Sequence, residues 1–152
     1  MTGSSTSDFA VETVIDLLDG ESSTTWTDGK PEINQLQEVA PKARKGIDRG
    51  LFVWSPVESN FDRFSADGDH LDQDDTVETI CATYDKTQTA RLLEDVVDIL
   101  SQYMDDNESQ TNFRNVQPTQ ASDDRGLKIL RTTEHYEGSV TVSLEAFRDT
   151  GT

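Results

Sequence analysis

The sequence predicts an α+β domain in which an antiparallel sheet of about four strands packs against a long amphipathic helix and an N-terminal helix. Three observations carry this prediction. Residues Asp85 to Asp106 place Leu92/Leu93, Val96/Val97, Leu100 and Tyr103/Met104 at steps of three and four, one stripe of an α-helix. Thr76 to Tyr84 has a period of two, with Ile80, Ala82 and Tyr84 on one face and Val77, Thr79 and Cys81 on the other. Val140, Val142, Leu144 and Ala146 alternate with Thr141, Ser143, Glu145 and Phe147. A chain of 152 residues is long enough for one core, so residues 1–152 read as a single domain, with 1–6 and the last few residues expected to be flexible.

Taken in order, Ser7 is positioned to cap a helix from Asp8 to about Leu18, whose face is Val11, Val14, Ile15 and Leu18. Asp19-Gly20 ends it, and Glu21 to Pro31 reads as a connection with Trp26 packed beneath it. Ile33, Leu36 and Val39 or Ala40 suit a short helix slightly better than an irregular strand over Glu32 to Pro41. Leu51-Phe52-Val53-Trp54, between Gly50 and Ser55-Pro56, is a strand. Val57 to Asp75 reads as a long loop, a kind of segment that often carries function. The strand Thr76 to Tyr84 leads into the long helix, for which Asp85 with Gln88 suggests a capping box and Thr87 and Thr89 are alternative caps. Beyond it, Pro118 marks Phe113 to Ala121 as an edge strand or one with a bulge. Leu127 to His135 is a further strand candidate, and Glu137-Gly138-Ser139 is a turn before the last strand.

Thirty acidic against thirteen basic residues give a net charge of -17. Disorder is the first alternative for so acidic a chain, but Leu, Ile, Val and Phe total 34 of 152 residues, above the roughly 20% at which disorder becomes the default. Their periodic spacing argues for order. The surface suits molar salt, where a Debye length of about 3 Å screens self-repulsion, and resembles that of proteins from haloarchaea and their viruses. A dedicated nucleic-acid binder would show a basic face; the densest basic stretch, Lys42-Ala43-Arg44-Lys45, is short and reads as a solvated turn. No run approaches the length of a membrane span, and MTGSSTSD lacks the character of a secretion signal, so the expected site of synthesis is the cytosol.

Signals for catalysis are weak. Cys81, the single cysteine, lies in a predicted strand and suits a small core residue better than a nucleophile. His70 and His135 match no metal-binding spacing and read as surface or half-buried residues. Asp67, Asp69, Asp72 and Asp74 offer hard oxygen ligands, but Gly68 falls inside the first pair and the closing Glu of a calcium loop is missing, which favours a solvated loop. No phosphate loop or nucleophile elbow is present. The expectation is a protein that is not an enzyme and needs no cofactor or metal. Aromatics point instead to binding: Trp54, Phe61 and Phe64, with Asp67 and Asp69 beside them, form a candidate protein–protein contact.

The opening helix, the Trp26 to Pro31 connection, the Asp75 to Tyr84 strand feeding the long helix, and the final Gly138 to Phe147 strand together give a layout that resembles the tail terminator (tail completion) proteins of long-tailed viruses. The likeness covers most of the chain and is one of order and length. It implies a structural virion protein of the neck, assembled in the host cytoplasm, whose homohexameric ring caps the tail tube, ends its polymerisation and joins it to the head connector or stopper protein. Viral DNA would pass through an acidic lumen without specific binding, and the first-strand loop would contact the tube or a neighbouring subunit. The alternative is a cytosolic α+β interaction or ligand-binding module of a halophile.

Overall fold

The computed structural model describes residues 6–56, 60–63, 70–103, 115–122 and 134–149. The α+β class holds: two long helices lie on one face of a sheet. Helix α1 (Thr6–Asp19) opens the chain, followed by strands β1 (Glu32–Gln35) and β2 (Arg49–Trp54) with the one-turn helix α2 (Pro41–Arg44) between them. Strands β3 (Asn60–Arg63) and β4 (His70–Thr83) lead to helix α3 (Lys86–Ser101), and β5 (Asn115–Ser122) and β6 (Tyr136–Asp149) complete the sheet. The strand order is β1-β2-β4-β6-β5, with β3 pairing alongside β4. The sheet is therefore larger than the four strands expected, and mixed.

The mixed character comes from β1. Its pairing with β2 is parallel, Glu32 opposite Gly50 and Gln35 opposite Val53, because the connection over residues 36–48 carries the chain back to the same end of the sheet. The helix expected over Glu32 to Pro41 is thus a strand followed by a single 3-10 turn at Leu36–Glu38. Ile33 packs against the main core, whereas Leu36 and Val39 belong to a second cluster, so their spacing of three serves two cores and not one helical stripe.

Helix α3 follows the sequence closely. The Asp85 carboxylate accepts from the Thr87 and Gln88 amides at 2.8 and 3.4 Å, capping it, and Leu92, Leu93, Val96, Ile99 and Leu100 are buried. The helix ends at Ser101 with a turn to Tyr103, whose carbonyl accepts from Val116 N at the start of the next strand. Met104 to Asp106 lie outside the described residues. Helix α1 contributes Ala10, Val11, Val14 and Leu18 to the same core. Lys30 Nζ, donating to the Asp19 carbonyl at 2.8 Å and paired with its carboxylate at 2.9 Å, places a cation where the helix dipole favours one.

Strand β4 divides the interior as its period requires. Val77 and Cys81 face the helices with Leu51, Val53, Val140, Val142 and Leu144, while Ile80 and Ala82 join Leu36, Ile47 and Phe52 on the opposite face. Burial pushes the Cys81 thiol well above its ordinary range, which makes it an inert core residue. β4 begins six residues earlier than Thr76, at His70, inside the predicted loop, and Asp72 and Asp74 belong to it. Main-chain pairing accounts for this: β4 is bonded to β3 on one side and over fourteen residues to β6 on the other, which outweighs the poor strand propensity of Asp.

Two expectations near the C-terminus resolve differently. Pro118 lies in edge strand β5, and a register shift between Pro118 and Gln120 is the bulge expected there. The turn over Glu137-Gly138-Ser139 is instead continuous strand. Gly138 marks a close approach: a Cβ there would lie 2.5 Å from Leu93 Cδ1 and 3.0 Å from the Ser122 carbonyl oxygen. Gly138→Ala is expected to cost about 1–3 kcal/mol by prising α3 from the sheet, read as a lower urea midpoint with unchanged m-value. Of the strand candidate Leu127 to His135, residues 127–133 lie outside the described residues, and Glu134 and His135 precede β6 as irregular chain.

Candidate interaction surfaces

Among the described residues no three His, Cys, Asp or Glu side chains converge as metal ligands, and no described helix is long and apolar enough to cross a membrane. The surface features that remain are a groove, a basic corner, a polar sheet face and a clamped connection.

Ala90, Leu93, Glu94, Val97 and Asp98 recur at three- and four-residue steps along α3. With Ala121 and Ser122 of β5 they line an open groove of about 510 Å³. Its lining joins the apolar side chains of Ala90, Leu93, Val97 and Ala121 to the exposed carboxylates of Glu94 and Asp98. The sequence hint was the pair of doublets Leu92/Leu93 and Val96/Val97, which make the apolar stripe wider than a sheet can cover. The second wall, from residues 121 and 122, has no local signal.

The corner over residues 36–48 lies on the other face of the sheet, where Leu36 and Ile47 pack against Phe52, Ile80 and Ala82. Ala40, Pro41, Lys42, Ala43 and Lys45 are exposed on its central turn, which is basic, and the exposed carboxylates of Glu38 and Asp48 flank that turn. Its backbone is held from within: Arg44 donates to the carbonyls of Val39 at 3.1 Å and Leu36 at 3.2 Å, and the Tyr84 hydroxyl donates to the Lys45 carbonyl at 2.7 Å. His135 Nε2 lies 2.7 Å from the Ile47 carbonyl oxygen, and its ring stacks on Tyr84 with centroids 4.1 Å apart. His135 is fully buried, contrary to the surface or half-buried position expected: the stacked ring and the Ile47 carbonyl account for one face and for Nε2, while Nδ1 has no hydrogen-bond partner among the described residues. The basic stretch is a short helical turn, and Arg44 is a structural residue within it.

Of the residues proposed as a contact, Trp54 is half-buried in β2 and donates its indole N–H to Glu78 Oε1 at 2.8 Å. This pair borders the second face of the sheet, where Thr76, Glu78, Ser139, Thr141 and Ser143 are half-buried. Phe61 is in β3 opposite Gln73, so its backbone is strand and not loop; Phe64, Asp67 and Asp69 lie outside the described residues. The structure thus joins Trp54 to Glu78, a partner that sequence spacing does not reveal.

The connection after α1 is fastened to α3. Trp26 is 3% exposed beneath it, as expected. Arg91 donates from Nε to Asp28 Oδ2 at 2.8 Å and from Nη2 to Oδ1 at 3.1 Å, a bidentate pair. Arg49 Nη2 donates to the Gly29 carbonyl at 2.6 Å. Asp95 accepts from Thr27 N and Oγ1 at 2.9 and 2.8 Å, so it is a tertiary contact, unlike the outward Glu94 and Asp98. The hydrogen bond from Arg91 holds the Asp28 carboxyl below its ordinary value of 3.8, with the charges of Arg91 and Arg49 adding to it against partial desolvation. A depressed folded-state pKa gives stability that is present above the unfolded value and lost as pH falls through the folded one. Asp28→Asn is therefore expected to lower the melting temperature at neutral pH and to flatten the acid limb below about pH 4, as read by thermal melts across pH.

No protein-family model matches the chain, and no curated protein matches it.

Proposed function

We propose that the protein is a structural virion component of a tailed virus of halophilic hosts: a homohexameric ring that caps the tail tube, ends its polymerisation and joins it to the head connector. The observation that carries this reading is the order of elements, an N-terminal helix, a Trp-containing connection, strands, a long strand running directly into the long helix, and antiparallel strands to the C-terminus. Both helices lie on one side of the sheet, with the acidic groove on that side and the basic turn on the other. The net charge of -17 suits a ring through which DNA passes without sticking. Trp54, with the strand and residues that follow it, is the proposed contact with tube or neighbour. The direct test is to add the chain, in molar KCl, to polymerising tail tube protein of the same virus. Tubes capped at one end and shorter on average support the reading; tubes of unchanged length and no bound chain overturn it.

The groove supports a second reading. Its volume lies within the roughly 300–1,000 Å³ of small-molecule sites, which suits a ligand-binding module of a halophile. A chain that stays monomeric and gains thermal stability from one metabolite would favour that reading over the ring.

A further inference from the structure

We infer that the ring contact is head-to-tail, the basic corner of one copy seating in the α3–β5 groove of the next. This rests on the ring reading and assigns its interface. The two surfaces match in kind. The groove is lined by the apolar side chains of Leu93, Val97 and Ala121 together with the carboxylates of Glu94 and Asp98, and the corner's central turn offers Ala40 and Ala43 interleaved with Lys42 and Lys45.

Charge narrows the choice of partner surface. In molar salt the net charge of -17 is screened beyond about 3 Å, so only charges brought into direct contact count, and carboxylates pressed together oppose docking unless cations lie between them. Among the described residues Lys30 pairs with Asp19, Arg91 with Asp28, and Arg44 and Arg49 donate to main-chain carbonyls. Of the described side chains, Lys42, Lys45 and Lys86 are the cations with no partner among the described residues, and two of the three sit on this corner. Glu94 and Asp98 likewise have no intrachain partner among the described residues.

Geometry supports the same pairing. The corner packs on the face of the sheet away from the helices, and the groove is formed on the helix face by α3 and β5, so the two surfaces of one copy do not compete for the same space. A contact between two different patches repeats from copy to copy and closes into a ring when the rotation allows. Sheet extension through β5 is a poor competitor, because Pro118 and the bulge blunt that edge. The corner is also fixed before docking: Arg44, Tyr84 and His135 each bond its backbone, so little order remains to be imposed on association.

The test uses charge reversal in the full chain, with mass measured by light scattering in molar KCl and folding followed by circular dichroism. Lys42→Glu with Lys45→Glu, and separately Glu94→Lys with Asp98→Lys, should each remain folded and shift the mass to monomer, a loss of at least tenfold in assembly affinity. Mixing the two variants should restore the ring, since each corner then meets a groove of opposite sign all the way round an even-numbered ring. Ala121→Phe, at an exposed position that should leave the fold intact, should block assembly by bulk alone. Rings that persist in both reversed variants and in Ala121→Phe overturn this interface and leave the ring reading standing. A mixture of folded variants that stays monomeric also overturns the interface, and a wild-type chain that is itself monomeric overturns the ring reading and the interface together.

Discussion

Val96→Asp is expected to leave the chain unfolded at room temperature. Val96 is fully buried in the middle of α3, within the cluster formed by both helices and the inner face of the sheet. The substitution removes the burial of an apolar side chain, about 1.5–3 kcal/mol, and adds an unpaired carboxylate in its place, about 3–5 kcal/mol. Their sum, on the order of 5 kcal/mol or more, is comparable to the whole stability of a typical domain. Loss of far-UV helical signal and of a cooperative melt would show it. Two residues on, about 200° around the helix, Asp98 is exposed, and Asp98→Lys should move the melting temperature by no more than a degree or two. A folded Val96→Asp chain would mean that α3 does not pack on the sheet as described.

The second large effect is expected at Phe52, also fully buried, but on the opposite face with Leu36, Ile47, Ile80 and Ala82. Phe52→Ala should cost about 3–5 kcal/mol, or roughly 10 °C in melting temperature for a chain of this size. Because this cluster is small and holds residues 36–47 against the sheet, hydrogen exchange should rise most sharply there and least in α3. If the proposed interface is right, loosening the corner also weakens assembly without touching an interfacial side chain. Equal acceleration of exchange in both layers would show that the two faces form one cooperative core.

Local periodicity made much of this fold legible. The stripe of α3, the cap at Asp85, the two faces of β4 and the Pro118 bulge each depend on residues close in sequence. β1 was not legible, because a parallel partner reached through residues 36–48 sets its conformation, and its apolar residues divide between two cores. Gly138 has the same composition as a turn, yet what requires it is Leu93, 45 positions away, pressing on the strand. His135 goes inside because Tyr84 and the Ile47 carbonyl meet it there, and the groove escaped notice because its walls come from α3 and β5. Trp54 was legible as a strand aromatic and candidate contact, but its bond to Glu78 crosses between strands. In each of these cases the missing information is a contact between distant segments.

The central claim is that copies of this chain close into a ring. Sedimentation equilibrium in molar KCl tests it most directly, over a wide range of protein concentration and without any partner. The expected result is a single species of six times the 16.9 kDa chain mass, stable on dilution. A folded species of one chain mass at every concentration would contradict it.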